Sequence, residues 1–174
     1  MDLLRTYNVP RNIVNHSLIV SRVAVFLATE LNKKGYNLNI DEIEAAALLH
    51  DIKKIDSLKT GTGHAQEGWL LLNKLGYNEV AEIVKQHVFL DQNNDPQEIR
   101  EEEVVNYSDK RVRHSEVVPL KERFAYLKER YGKDEESLRV INRLEKRARE
   151  LENKIFSNID FKPEEVSRLL KTRD

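Results

Sequence analysis

Histidine recurs in this chain at positions where a helical apolar stripe should carry Val or Leu. His16 lies among Ile13, Val20 and Val23, His50 follows Ile43, Ala46 and Ala47 and opens the doublet His50-Asp51, and His87 follows Val80, Ile83 and Val84. Asp109 stands in the same way between Val105 and Val112, and His64 sits in a Gly-flanked segment. An imidazole on a core-facing stripe must find a partner, and an ionised carboxylate there is costlier still to leave unpaired. A cation bound by all of them would satisfy every one. Taken singly each residue has a plainer reading: a lone histidine on an apolar face is usually a satisfied core residue, and Asp109 could pair with Lys110 or Arg111. Their recurrence on separate elements favours a shared metal site. His114, five residues after Asp109, projects away from that face and is expected at the surface or as the partner of a ligand.

Adjacent helical residues point about 100° apart, so His50 and Asp51 reach one metal region together only near a helix end. With His16 and Asp109 from two other helices they would close a first site of two imidazoles and two carboxylates. His64 and His87 would hold a second ion, with Asp51 as the bridge. The chain has no cysteine, which excludes thiolate ligands, disulfides and Cys nucleophiles. Imidazole with carboxylate is a borderline donor set that suits Fe, Mn, Zn, Co or Ni, and Mg is compatible with a half-built site.

The elements that must position these residues show the 3.6-residue period almost throughout, and with only 6 Gly and 4 Pro the chain reads as all-α. A first long helix is expected from Pro10 to a stop at Gly35, carrying His16 on its buried face. A second should start near Asn39 and run to the doublet. Residues 57–63 read as a loop, after which His64 begins a helix ending near Gly76. Asn78 is expected to cap the helix that delivers His87, and a helix starting near Pro96 should contain Val104, Val105, Asp109 and Val112. Beyond Pro119, Leu120, Phe124, Leu127 and Tyr131 form a short stripe. Ile141, Leu144, Ala148, Leu151 and Ile155 form a heptad-like one, too short for a convincing coiled coil. It is read as a helix packed on the main body, with a homodimer seam as the alternative. Residues 1–118 are therefore taken as the metal-binding core and 119–174 as helices packed on it within one domain.

The 174 residues suit one domain with one core. Lys+Arg 29 against Asp+Glu 30 leaves a formal charge of -1, so charge gives no support to a nucleic-acid or membrane partner. MDLLRTYNVP carries no targeting pattern, and the cytoplasm is the expected location. Gly61-Thr62-Gly63 lacks the Walker pattern of a phosphate loop.

These residues resemble the HD-domain metal-dependent phosphohydrolases over roughly residues 10 to 130. The pattern of a first-helix His, an HD doublet and a later Asp matches His16, His50-Asp51 and Asp109, and members with two metals add two histidines where His64 and His87 stand. NHSLIVSRVA, AAALLHDIKK, GHAQEGWLLL and NYSDKRVRH are similar in wording. The chain departs at Lys53, where many relatives carry the Gly of HDIG. The resemblance implies an HD-type helical bundle with a C-terminal helical extension. It also implies a hydrolase that cleaves a phosphoester or phosphoanhydride of a small nucleotide-like substrate by attack of metal-activated hydroxide, using two divalent ions. Asp51 and Lys54 are the expected catalytic residues, Lys54, Lys110 and Arg111 the contacts to substrate phosphate, and Asp56 and Glu67 the candidate partners of a ligand imidazole. Two other readings stay open, a di-iron oxygenase of the same fold and a non-catalytic metal-stabilised binding module.

Overall fold

A computed structural model describes residues 2–91 and 98–172. Among them are ten α-helices and one two-stranded ribbon. The chain runs α1 (Asp2–Thr6), α2 (Arg11–Asn32), α3 (Ile40–Leu49), α4 (Lys54–Thr60), α5 (His64–Lys74), α6 (Asn78–Lys85) and α7 (Glu101–Lys110). It continues through β1 (Val112–Arg113), β2 (Glu116–Val117), α8 (Leu120–Tyr131), α9 (Glu135–Phe156), a 3-10 turn (Pro163–Glu165) and α10 (Val166–Lys171). The fold is all-α.

α2 is the hub. Its apolar stripe of Val20, Val23, Phe26, Leu27 and Leu31 is buried, and it packs against α3, α7 and α10. By length and composition alone this helix could cross a membrane. Here its apolar side is taken up by the other helices. Asn39 caps α3, accepting from the Glu42 N–H at 3.3 Å, and satisfies one of the free donors that every helix start exposes. The Ala45-Ala46-Ala47 run keeps α3 thin where it meets α2, α6 and α7. α5 lies close to α6 because Gly68 has no side chain: a Cβ there would stand 3.1 Å from Val84 Cγ1.

Several boundaries differ from the sequence reading. Pro10 is the residue before α2 rather than its first turn. Residues 57–60 are helical and belong to α4, because nothing breaks the helix until Gly61, which ends it in a left-handed conformation (φ 75°). The loop is thus confined to 61–63. The expected start at Pro96 lies outside the described residues, and α7 is helical from Glu101. Val112 sits in β1, where the ribbon pairs Val112 with Val117 and Arg113 with Glu116.

The stripe on α9 is consumed inside the chain. Ile141, Ala148, Leu151 and Ile155 are buried, and the helix rests on α7 and α8. A buried ion pair reinforces this contact: Lys154 Nζ donates to both oxygens of Glu103 at 3.0 and 2.7 Å, and Glu103 is 1% exposed. Lys154→Met should therefore strand a buried carboxylate and cost about 3 kcal/mol of unfolding free energy in urea titration. The double variant with Glu103→Gln should recover most of that loss. A single variant as stable as wild type would show the pair to be dispensable.

Candidate metal centre

Five segments bring the site together: the second turn of α2 (His16), the exit of α3 (His50, Asp51), the start of α5 (His64), the exit of α6 (His87) and the end of α7 (Asp109). His50, Asp51 and His87 are at most 2% exposed, and His16 and Asp109 are 8% and 9% exposed. His50 stands one residue past α3 and His87 two residues past α6. His50 keeps helical dihedrals (φ -54°, ψ -35°), the residues that follow form a turn, and both His50 and Asp51 are buried.

The hydrogen bonds of the rings decide what they present. His16 Nδ1 lies 3.0 Å from the His114 carbonyl, His50 Nδ1 2.8 Å from that of Ala47, and His87 Nδ1 2.6 Å from that of Val84. A carbonyl oxygen only accepts, so each Nδ1 carries the proton and donates. Each Nε2 is then left as a lone pair, and all point to one place. His16 Nε2 is 3.0 Å from Asp109 Oδ1. His50 Nε2 is 3.4 Å from Asp51 Oδ2 and 3.7 Å from Asp109 Oδ1. His87 Nε2 is 2.9 Å from His64 Nε2 and 3.8 Å from Asp51 Oδ1, which His64 Nε2 approaches to 3.3 Å. His50 Nε2 and Asp51 Oδ1 are buried with no hydrogen bond. Acceptors facing acceptors in a dry interior need a proton or a cation between them.

The residues fit a cation. Their donor atoms fall into two trios, His16-His50-Asp51 and Asp51-His64-His87, each within 4.8 Å, with Asp51 common to both. Metal bonds of about 2.0–2.2 Å in a tetrahedral site place neighbouring ligands about 3.3 to 3.6 Å apart, and the spacings here run from 2.9 to 3.8 Å. Asp109 faces the first trio. Burial drives the His87 pKa down to about 3, aided by the charge of His50, and keeps that imidazole neutral as a ligand must be. Burial alone would lift the carboxyl of Asp51, but His50 beside it, His64 and Lys54 together hold it well below its ordinary range. In Asp109 burial is likewise outweighed, first by the charge of Lys110 and then by His16 and His50. For His50 the Asp51 charge overrides the effect of burial and raises its pKa, so metal and proton compete for its Nε2.

The cationic residues expected to meet phosphate have separate positions. Lys54 Nζ is 2.5 Å from Asp51 Oδ2, and its side chain is 41% exposed. The charges of Asp51 and Asp109 outweigh its burial and raise its pKa, so it stays an ammonium. Lys110 reaches the cluster as a clamp, with Nζ 2.9 Å from Asp109 Oδ2 and 2.8 Å from the His87 carbonyl, and its side chain is only 6% exposed. Arg111 is not brought to the site. Its guanidinium donates to the Val118 carbonyl (2.8 Å), the Tyr107 hydroxyl (2.5 Å) and the Pro163 carbonyl (3.0 Å), tying α7 to the C-terminal helices. Consecutive helical residues point in different directions, which is why Asp109, Lys110 and Arg111 have three different surroundings.

Asp56 pairs with Lys53 at 2.5 Å, and Glu67 accepts from Thr60 and Thr62 on the exposed side of α5. Neither contact is to a ligand imidazole. His114 contributes its backbone: with φ 56° it occupies the turn between β1 and β2 and holds His16 through its carbonyl. Asn106 went unnoticed in the sequence. Its amide donates to the carbonyls of Gln86 and His87 at 2.9 and 3.0 Å and fixes the segment that delivers His87. A polar residue one turn before Asp109, on the same buried face, was the available signal.

In comparison with known proteins, the HD domain family model matches residues 13–161. A stretch of 78 residues is 36% identical to an uncharacterized protein of Methanocaldococcus jannaschii, covering 44% of this chain and 45% of that protein. Another of 74 residues is 38% identical to a Ribonuclease Y of Pediococcus pentosaceus, covering 42% of this chain and 13% of that one. The chain thus spans under half the length of these curated relatives. No solved structure matches it. The family match takes in all six converging side chains, from His16 on α2 to Asp109 on α7, and extends through α9: the chain belongs to the HD domain family, a superfamily of metal-dependent phosphohydrolases.

Proposed function

We propose that this protein is a two-metal phosphohydrolase that cleaves a phosphoester or phosphoanhydride bond of a small nucleotide-like substrate. The observation that supports it most is the convergence of imidazole lone pairs on Asp51 and Asp109, with His50 Nε2 and Asp51 Oδ1 buried and unbonded. Divalent cations in such a centre lower the pKa of water and neutralise the charge that develops on phosphoryl oxygens during in-line displacement. His16, His50, Asp51 and Asp109 would hold one ion, and Asp51, His64 and His87 the other. The partial likeness to a Ribonuclease Y supports a phosphoester of ribonucleotide type. Near-cancelling charge favours a small substrate over nucleic acid or a membrane surface.

Lys54 is the cation suited to the substrate. It touches Asp51 at one end and reaches solvent along its stem, whereas Lys110 is enclosed and already committed. A substrate phosphate arriving at the centre would find the Lys54 ammonium beside it, placed to stabilise charge on a non-bridging oxygen.

Elemental analysis of the purified protein should find up to two transition-metal ions per chain. Replacing His64 and His87 together with Ala should leave one, and Asp51→Asn should deplete both sites because its carboxylate is shared. Two ions retained in the double variant would overturn the assignment of the second site.

A phosphate-release screen over nucleotides tests the activity itself, and Lys54→Ala tests the role of that side chain. The variant should keep its metal content and lose about 10²- to 10³-fold in kcat, the effect of removing one donor to a developing oxyanion. Wild-type turnover would return Lys54 to the role of an ion-pair partner for Asp51.

A further inference from the structure

Arg123 lies on α8, and among the described residues its Nε is buried without a hydrogen-bond partner. Glu122, beside it in sequence, is taken by Arg113 at 2.8 Å. The guanidinium carbon of Arg123 stands 6.0 Å from the centroid of the Tyr126 ring, and that ring meets His114 edge-on with centroids 5.4 Å apart. The His114 carbonyl in turn holds Nδ1 of His16 at 3.0 Å. Arg123 is thus tied to the turn that orients a metal ligand. It also stands near Lys54 on α4: burial and the positive charge of Arg123 both oppose the Lys54 ammonium, and the carboxylates of Asp51 and Asp109 outweigh them. The oxygens of those carboxylates have other neighbours. Asp51 Oδ2 is held by Lys54, Asp109 Oδ1 by His16 and Asp109 Oδ2 by Lys110, while Asp51 Oδ1 faces His64 and His87.

We propose that Arg123 is a second cationic contact for the substrate phosphate, gripping it from α8 while Lys54 meets it from α4. The proposal rests on the phosphohydrolase reading of the centre and adds a residue to it. Charge is the first reason. Two cations that repel one another without a shared counterion make a ready place for an anion, and metal ions bound at Asp51 and Asp109 would sharpen the repulsion. Donor geometry is the second. A guanidinium presents its N–H groups as a planar fork, which phosphate accepts through two oxygens at once. The buried, unbonded Nε is a donor that such a grip would satisfy. The shape of the anion is the third. A carboxylate has two oxygens, and with both in the guanidinium fork it would leave Lys54 and the metal centre unserved. A tetrahedral phosphate directs its remaining oxygens away from the fork, toward Lys54 and the ions. The contact with the Tyr126 ring restrains the guanidinium before the ligand arrives.

The test uses metal-loaded wild type, Arg123→Gln and Arg123→Lys, and reads the binding of inorganic phosphate by calorimetric titration, so that no turnover is needed. Arg123 is only half-buried, and both variants should fold with the metal content of wild type. Arg123→Gln should raise the phosphate Kd about 10- to 100-fold, the worth of hydrogen bonds to a charged group. Arg123→Lys keeps the charge and loses the fork, and its Kd should fall between the two. Guanidinium chloride at millimolar concentration should tighten phosphate binding to Arg123→Gln and not to wild type. On the best substrate of the nucleotide screen, Arg123→Gln should show a matching rise in KM. Phosphate binding that is absent from wild type, unchanged in Arg123→Gln, or lost together with the bound metal would overturn the assignment. A loss that guanidinium does not mend would mark a structural arginine and overturn it as well. Failure of wild type to release phosphate from any nucleotide would instead overturn the phosphohydrolase reading, and the phosphate titration would then decide Arg123 alone.

Discussion

A backbone carbonyl can only accept, so the contacts of His16, His50 and His87 with the carbonyls of His114, Ala47 and Val84 fix the proton of each ring on Nδ1. Everything else at the centre follows from that constraint. The rings cannot flip to satisfy one another or the carboxylates, and each must present an Nε2 lone pair to Asp51, Asp109 or His64. A second tautomer would break these hydrogen bonds, the two buried ones at His50 and His87 at a cost of about 1–3 kcal/mol each. Two of the three carbonyls lie three residues before the histidine they hold. These two rings are therefore oriented by carbonyls in the last turn of their own helix, near the end where carbonyls have room for a further donor.

The scaffold answers this constraint at long range. Lys110 joins Asp109 to the carbonyl of His87, and Asn106 holds the same segment one turn earlier, so α7 positions the carboxylate that faces one trio and an imidazole of the other. Next along the chain, Arg111 fastens the end of α7 to Pro163, and Tyr107 extends the link to Glu152 on α9 at 2.6 Å. The C-terminal helices thus act on the site through α7, without contributing a ligand to either trio.

Helix content and four of the converging side chains, His16, His50, His87 and Asp109, were legible because they rest on local periodicity: a polar side chain on an apolar stripe is visible as an interruption in it, whereas Asp51 came from the doublet and His64 from a Gly-flanked segment. Legibility ended where direction in space, not period, decides the outcome. Residues 57–60 read as loop because Gly61 and Gly63 follow, although a glycine at the end of a short helix is its stop signal. Lys110 and Arg111 looked equivalent beside Asp109, yet one enters the cluster and the other leaves it, a difference that only the packing of α7 between α2 and α9 creates. The service of His114 lay in its carbonyl, which no side-chain pattern advertises. Lys53 was legible as a departure at the doublet, but its ammonium stands over the Tyr7 ring, a contact that depends on the turn that folds α1 back.

The charge balance of the centre constrains what it binds. Asp51 and Asp109 are matched by Lys54 and Lys110, so with neutral imidazoles the cluster is already near electroneutral. Each divalent cation adds two positive charges to a nearly dry region, and isolated charge there is costly. Lys110 is enclosed and its bonds are satisfied. Lys54, exposed along its stem, is the group free to move away from Asp51. On the two-metal reading proposed above, the remaining charge would be balanced by anions, either metal-bound hydroxide or the phosphate of a substrate. A phosphate monoester or a phosphoanhydride brings that charge in a compact form with several acceptor oxygens, whereas a neutral ester or a bare alcohol does not. Metal occupancy and affinity for a phosphorylated ligand should therefore be coupled, each reducing the electrostatic cost of the other.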